Sequence, residues 1–91
     1  MTDTTSMSGK TIHVLVRDRN HVLYDGPATG LTSKNSKGIF DILLNHANFI
    51  SLINETLYIH NSNGTSTPIP MNNALVKVKE NNVEVYVGVK R

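Results

Sequence analysis

The chain has 91 residues, no cysteine, a formal charge of +2 and a pI near 9.1. This length holds one domain and leaves no room for a second, and the missing cysteine excludes disulfides and thiolate metal sites. The nine Lys and Arg residues are scattered, without the clustering of a strong nucleic-acid or anionic-membrane binder.

The start, "MTDTTSMSGK", has no basic segment followed by an apolar one and no Arg, and it carries Asp3. It therefore reads neither as a secretory signal nor as a transit peptide. We expect a disordered polar leader over residues 1–10 and a single domain over residues 11–91.

From there the dominant period is two. "TIHVLVR" places Ile12, Val14 and Val16 on one face and His13, Leu15 and Arg17 on the other. Asp18, Arg19 and Asn20 suit a three-residue hairpin loop, with Asn20 at the left-handed position. Pairing Arg17 with His21 then sets Val16 beside Val22 and Val14 beside Tyr24. Asp25, Gly26 and Pro27 read as a turn or strand break. "ATGLTS" is a short strand candidate, and "KNSKG" a polar loop. "GIFDILL" and "NFISLI" are two apolar β-rich runs joined around His46 and Ala47. "LYIHNSNGTSTPIP" reads as a strand, an Asn-Ser-Asn-Gly turn and a proline-marked strand at a sheet edge.

The last segment, "NNALVKVKENNVEVYVGVK", is a hairpin with Asn81 and Asn82 as a two-residue turn. Its expected pairs are Lys79 with Glu84, Val78 with Val85, Lys77 with Tyr86 and Val76 with Val87. One face is then apolar, and the other offers a Lys79–Glu84 ion pair. No segment has a convincing helical period. No apolar run approaches the ~18 residues of a bilayer span. Short strands separated by turns indicate an all-β fold, an antiparallel sandwich of about 8–10 short strands.

The chemistry-bearing residues form no constellation. No serine sits in a G-x-S-x-G elbow, and the glycines are too dispersed for a phosphate loop. His13, His21, His46 and His60 lack metal-ligand spacing; His13 and His21, with Asp18, are the one pair that a hairpin can bring together. Lys34, Asn35 and Lys37 make a small basic loop that reads as solvated. Tyr24, Tyr58 and Tyr86 with Lys10, Lys34, Lys37, Lys77 and Lys79 define an alternative, a small basic β-barrel binding single-stranded nucleic acid. Tyr24 is expected on the core side of its hairpin, which splits that platform.

The run "LYDGPATGLTSKNSKGIFDILLNHANFISLI" resembles the N-terminal β-sandwich domain of the epsilon subunit of rotary F-type ATP synthases (delta in mitochondria). The family pattern places a glycine, a polar loop ending in Gly-Glu, and a Pro-Gly-His-Ala-Pro turn at a spacing matched by Gly26, Gly38, His46 and Ala47. The resemblance covers residues 11–89 and continues through "NNALVKVKENNVEVYV". Several pattern residues are replaced. Ile39 stands at the acidic position, Asp41 at a glycine, and Leu44 and Asn45 at the Pro-Gly. Asn48 stands at the following proline, and Asn72 and Asn73 at a Gly-Gly. Asn and Asp are the side chains that best tolerate left-handed backbone, so the route of the chain can survive these replacements.

The resemblance implies a non-catalytic stalk subunit that needs no cofactor and no metal. It implies docking on the gamma subunit and on the c-ring, peripherally at the cytoplasmic face of a bacterial inner membrane. Membrane contact would be indirect, through the ring. The expected interface residues are Gly38, Ile39 and Phe40 toward the ring, and Leu44, Asn45, His46 and Ala47 near the junction of shaft and ring. Gly26, Asn72, Asn73, Asn81 and Asn82 are expected at structural turns. The family's C-terminal helical hairpin has no counterpart up to Arg91.

Overall fold

Strand-forming alternation carries most of the chain from Ile12 to Tyr86. A computed structural model describes residues 11–88 and shows nine strands among them. They are β1 (Ile12–Arg17), β2 (Val22–Ala28), β3 (Gly30–Asn35), β4 (Gly38–Leu43), β5 (Phe49–Ile53), β6 (Leu57–His60), β7 (Ser66–Ile69), β8 (Ala74–Lys79) and β9 (Asn82–Tyr86). The expected leader lies outside the described residues. The strands form a five-stranded sheet, β2-β1-β9-β8-β5, and a four-stranded sheet, β4-β3-β6-β7. This is the expected β-sandwich. All neighbours pair antiparallel except β1 and β9, which run parallel.

Period-two alternation turns one apolar row of each strand inward. Ile12, Val14 and Val16 of β1 meet Val76 and Val78 of β8 and Val83 and Val85 of β9 in the core. Leu31, Ile42, Leu57 and Ile59 close it from the four-stranded sheet. Each of these aliphatic side chains contributes roughly 1.5–3 kcal/mol by leaving water. The one buried polar residue among the described residues is Ser33, whose hydroxyl donates to the Thr56 carbonyl at 3.2 Å. No buried side-chain polar atom among the described residues lacks a partner.

Both hairpin registers differ from the sequence expectation, and in the same way. In the first, Val16 faces Tyr24 and Val14 faces Gly26, with a bulge between Val16 and Arg17 opposite Val22. In the last, Lys79 faces Asn82, Val78 faces Val83, Lys77 faces Glu84 and Leu75 faces Tyr86. Each slip keeps the parity of the pairing, so apolar still meets apolar and the hydrophobic pattern cannot tell the registers apart. Other contacts decide. In the first hairpin the Asp18 carboxylate accepts from the Asn20 and His21 amides at 2.8 and 2.6 Å, closing the loop without a left-handed Asn20. In the last, β9 must also pair with β1, Val14 beside Val83 and Val16 beside Val85. The turn therefore falls on Glu80 and Asn81, both left-handed with φ of 52° and 66°, and Asn82 becomes the first residue of β9. Glu84 consequently lies opposite Lys77, not Lys79.

Gly26 is not a turn residue: Asp25, Gly26 and Pro27 continue β2. The strand lies at a sheet edge, where the missing N–H of Pro27 costs no ladder bond. The Tyr24 ring lies against Gly26, and its hydroxyl donates to the Pro27 carbonyl at 2.8 Å. Likewise Lys34 and Asn35 belong to β3, and only Ser36 and Lys37 form the tight turn before Gly38. The proline-marked β7 does lie at an edge. Tyr24 packs against the core, on the expected side.

Glutamate is a poor occupant of the left-handed position at Glu80. Glu80→Asn is expected to stabilise the domain by roughly 0.5–1 kcal/mol. A rise in the urea midpoint at constant m-value checks this; an unchanged or lower midpoint contradicts it.

Candidate functional site

The chain crosses between the sheets where β4 ends and β5 begins. The His46 amide donates to the Leu43 carbonyl at 3.1 Å, which makes residues 43–46 a β-turn. Asn45, its third residue, has φ of 65° while Leu44 is not left-handed, the signature of a type II turn. Glycine or asparagine is what that position takes. Leu44 packs partly against the core, while Asn45 and Ala47 are exposed.

His46 is held by two contacts. Its Nδ1 lies 2.7 Å from the Ala47 carbonyl, a bond that places a proton on Nδ1. Its ring stands edge-on to Phe49, with centroids 5.5 Å apart at 75°. Phe49 in turn packs on Phe40 at 5.3 Å. The imidazole caps a small aromatic cluster at the end of the core. No group of three potential metal ligands occurs among the described residues, here or elsewhere.

The expected interface residues do not form one spot. Gly38 has φ of 122° and starts β4, and Ile39, next to it, is 76% exposed. The His46 turn follows the other end of β4. Five residue steps separate Gly38 from Leu43, roughly 17 Å of strand. Phe40 departs from the expectation: its ring faces inward against Phe49 and the core, so the outward residues of β4 are Ile39, Asp41 and Leu43. The physical reason is the strand period, which sets Phe40 on the same side as buried Ile42.

The other constellations are not assembled. His13 meets Asp25 at 2.8 Å, and His21 meets Asp18 at 3.5 Å, so the two histidines form separate exposed pairs. Tyr58 and Lys34 point outward from the four-stranded sheet, whereas Tyr86, Lys77 and Lys79 point outward from the five-stranded one. The stacking platform is thus divided between opposite faces and an inward Tyr24.

A polar chain that no sequence motif announces crosses the outer face of the four-stranded sheet. Ser66 Oγ lies 2.8 Å from His60 Nδ1, and His60 Nε2 lies 2.7 Å from Thr32 Oγ1. Thr32 donates onward to Asp41. Because the Thr32 proton goes to Asp41, Nε2 must carry the proton shared with Thr32. Four strands contribute one residue each, and no local signal in the sequence marks such a row.

The backbone amides of Asn20 and His21, together with the His21 charge, hold the Asp18 carboxyl below its ordinary value of 3.8. A depressed folded-state pKa stabilises above the unfolded value and is lost as pH falls through the folded one. Replacing the carboxylate by an amide in Asp18→Asn is expected to flatten the stability profile below pH ~4. Urea titrations between about pH 2 and 6 check this. Parallel profiles for the two proteins contradict it.

With fold and turn in place, comparison with known proteins gives the class. A sequence model of the family described as ATP synthase, Delta/Epsilon chain, β-sandwich domain matches residues 11–89. The chain belongs to this family. Among solved structures, one chain of the Euglena gracilis mitochondrial ATP synthase, OSCP/F1/c-ring in rotational state 1, is 12% identical with a TM-score of 0.80. That match covers 86% of this chain and 51% of the other. A chain of the Tetrahymena thermophila mitochondrial ATP synthase central stalk/c-ring is 17% identical with a TM-score of 0.70, covering 82% of this chain and 61% of that one. This chain therefore spans about half to three-fifths of those two. At these identities the likeness is one of fold. No curated protein sequence matches.

The family pattern gives meaning to two left-handed asparagines. Asn45, at a pattern glycine, has φ of 65°, and Asn73, at another, has φ of 58°. Asp41, at a third, instead lies in the middle of β4 without positive φ.

Proposed function

We propose that this chain is a non-catalytic central-stalk subunit of a rotary ATP synthase, docked between the gamma shaft and the c-ring. The observation that carries the reading is the family match over residues 11–89 together with the crossover turn of Asn45, His46 and Ala47 at the pattern position. The names of the two solved relatives, with their stalk and c-ring components, point the same way.

Transmitting torque needs a body that does not shear. Two sheets closing a buried aliphatic core provide one, because close-packed interiors transmit strain instead of absorbing it. Attachment needs two separated adhesive patches, and β4 carries one near each end. Ile39, exposed beside the Gly38 turn, would meet the polar loops of the ring. The turn of residues 43–46, with Ala47 beyond it, would meet the shaft near its junction with the ring. The acidic residue of the family pattern is Ile39 here, so the ring side rests on apolar contact and shape. No helix among the described residues is long and apolar enough to cross a membrane, and the chain would touch the membrane only through the ring. The solved relatives are mitochondrial, so a mitochondrial inner membrane suits the role as well as a bacterial one.

The test is binary mixing. The purified chain is expected to co-elute with isolated gamma subunit, and with gamma bound to detergent-solubilised c-ring. Elution apart from both at micromolar concentrations sinks the reading.

A further inference from the structure

The turn that carries His46 has an anchor far away in sequence. The Asn45 amide donates to Oδ1 of Asn81 at 2.6 Å, and the Asn81 side-chain NH2 lies 3.3 Å from Oδ1 of Asn45. The two asparagines are 36 positions apart, one in the crossover turn and one in the β8–β9 turn. Both are left-handed, with φ of 65° and 66°. The Asn81 carbonyl, meanwhile, accepts from the His13 amide of β1 at 2.9 Å. One residue thus ties three pieces of the fold: its backbone fixes β1 to the hairpin, and its side chain fixes the crossover turn to both.

We propose that Asn81 is the positioning residue of the His46 turn. Its side-chain amide sets the orientation in which exposed Asn45 and Ala47 and half-buried His46 meet a docking partner. Within the turn itself the His46 amide bond to Leu43 closes the loop but does not fix where the loop lies relative to the five-stranded sheet. Beside the His46–Phe49 ring contact, the asparagine pair is the only side-chain hydrogen bond across that gap among the described residues. Asparagine suits the task on two counts. It tolerates the left-handed backbone that the two-residue hairpin turn demands, and its amide offers an acceptor and a donor together. Glycine at either position would keep the backbone, but at position 81 it would remove the bridge. The functional part of this proposal rests on the docking reading above.

Three substitutions separate the possibilities, read by amide hydrogen exchange and by affinity for gamma. Asn81→Gly keeps the backbone conformation and deletes both side-chain bonds. The amide at position 45 is expected to exchange roughly tenfold faster, and gamma affinity to fall by a similar factor, with the unfolding midpoint little changed. Asn81→Asp keeps the oxygen that accepts from Asn45 and should restore protection and most of the affinity. Asn45→Gly leaves the donated N–H in place, so protection at position 45 should persist. Unchanged exchange at position 45 in Asn81→Gly overturns the proposal. Faster exchange with undiminished gamma affinity overturns instead the assignment of the His46 turn to the docking surface.

Discussion

Ile59→Ala is expected to lower the unfolding free energy by about 3 kcal/mol. Ile59 sits in β6 with Leu31 beside it in β3 and Thr67 in β7, and none of its surface reaches solvent. Truncation removes three carbons of burial and leaves a void that a two-sheet core cannot close without shearing the sheets. A domain of this size is held together by roughly 5–14 kcal/mol, so this single change takes a large share. The matched control is Ile50→Ala. Ile50 is 65% exposed on the outer face of β5, and its loss should cost less than about 0.5 kcal/mol. Urea unfolding of the pair provides the measurement. Equal midpoint shifts for the two variants contradict the assignment of inner and outer faces.

The second large effect concerns docking. His46→Asp is expected to weaken gamma binding by roughly thirtyfold, and Ile39→Lys to weaken binding to the c-ring by a similar factor. His46 loses its edge contact with Phe49 and its bond to Ala47, and a carboxylate enters beside an apolar cluster. Lysine is the informative choice at Ile39, because an acidic replacement would return the residue type of the family pattern. Lys34 lies directly across the strand pair, so a second cation there also meets repulsion. Neither change touches a fully buried group, so both variants should stay folded. Phe40→Asp cannot serve the same purpose, since the inward Phe40 ring packs on Phe49 and its loss damages the fold. If His46→Asp and Ile39→Lys bind as tightly as the unaltered chain, the two patches on β4 are wrongly placed.

The architecture was legible because the valine rows of "TIHVLVR" and "NNVEVYV" alternate cleanly, and alternation alone sets inner and outer faces. It was legible too that β7 lies at an edge, since Pro68 forbids a central position. Register was not legible. A slip that preserves parity leaves every apolar contact apolar, and the deciding interactions came from Asp18 capping its loop and from β1 lying beside β9. The β1–β9 pairing joins opposite ends of the chain, which no local pattern encodes. Gly26 and Pro27 looked like a break because turn chemistry is read locally, whereas tolerance of proline depends on being at an edge.

The candidate site divides the same way. The spacing from Gly26 through Gly38 to His46 pointed to the crossover turn, and the left-handed Asn45 follows from what a type II turn accepts. The inward Phe40 was readable from its alternation with Ile42. Asn81 as the partner of Asn45 was not readable, nor was the chain from Ser66 through His60 and Thr32 to Asp41. Both depend on strands brought together only by the completed fold.

The proposed place in the central stalk is tested most directly by affinity purification of the tagged chain from its native cells, with cross-linking before lysis. Recovery of ATP synthase gamma subunit and c-ring in stoichiometric amounts is expected, with cross-links from Lys37, beside Ile39, to the ring side. Recovery of the chain without ATP synthase subunits, or bound instead to single-stranded nucleic acid that salt releases, would contradict it.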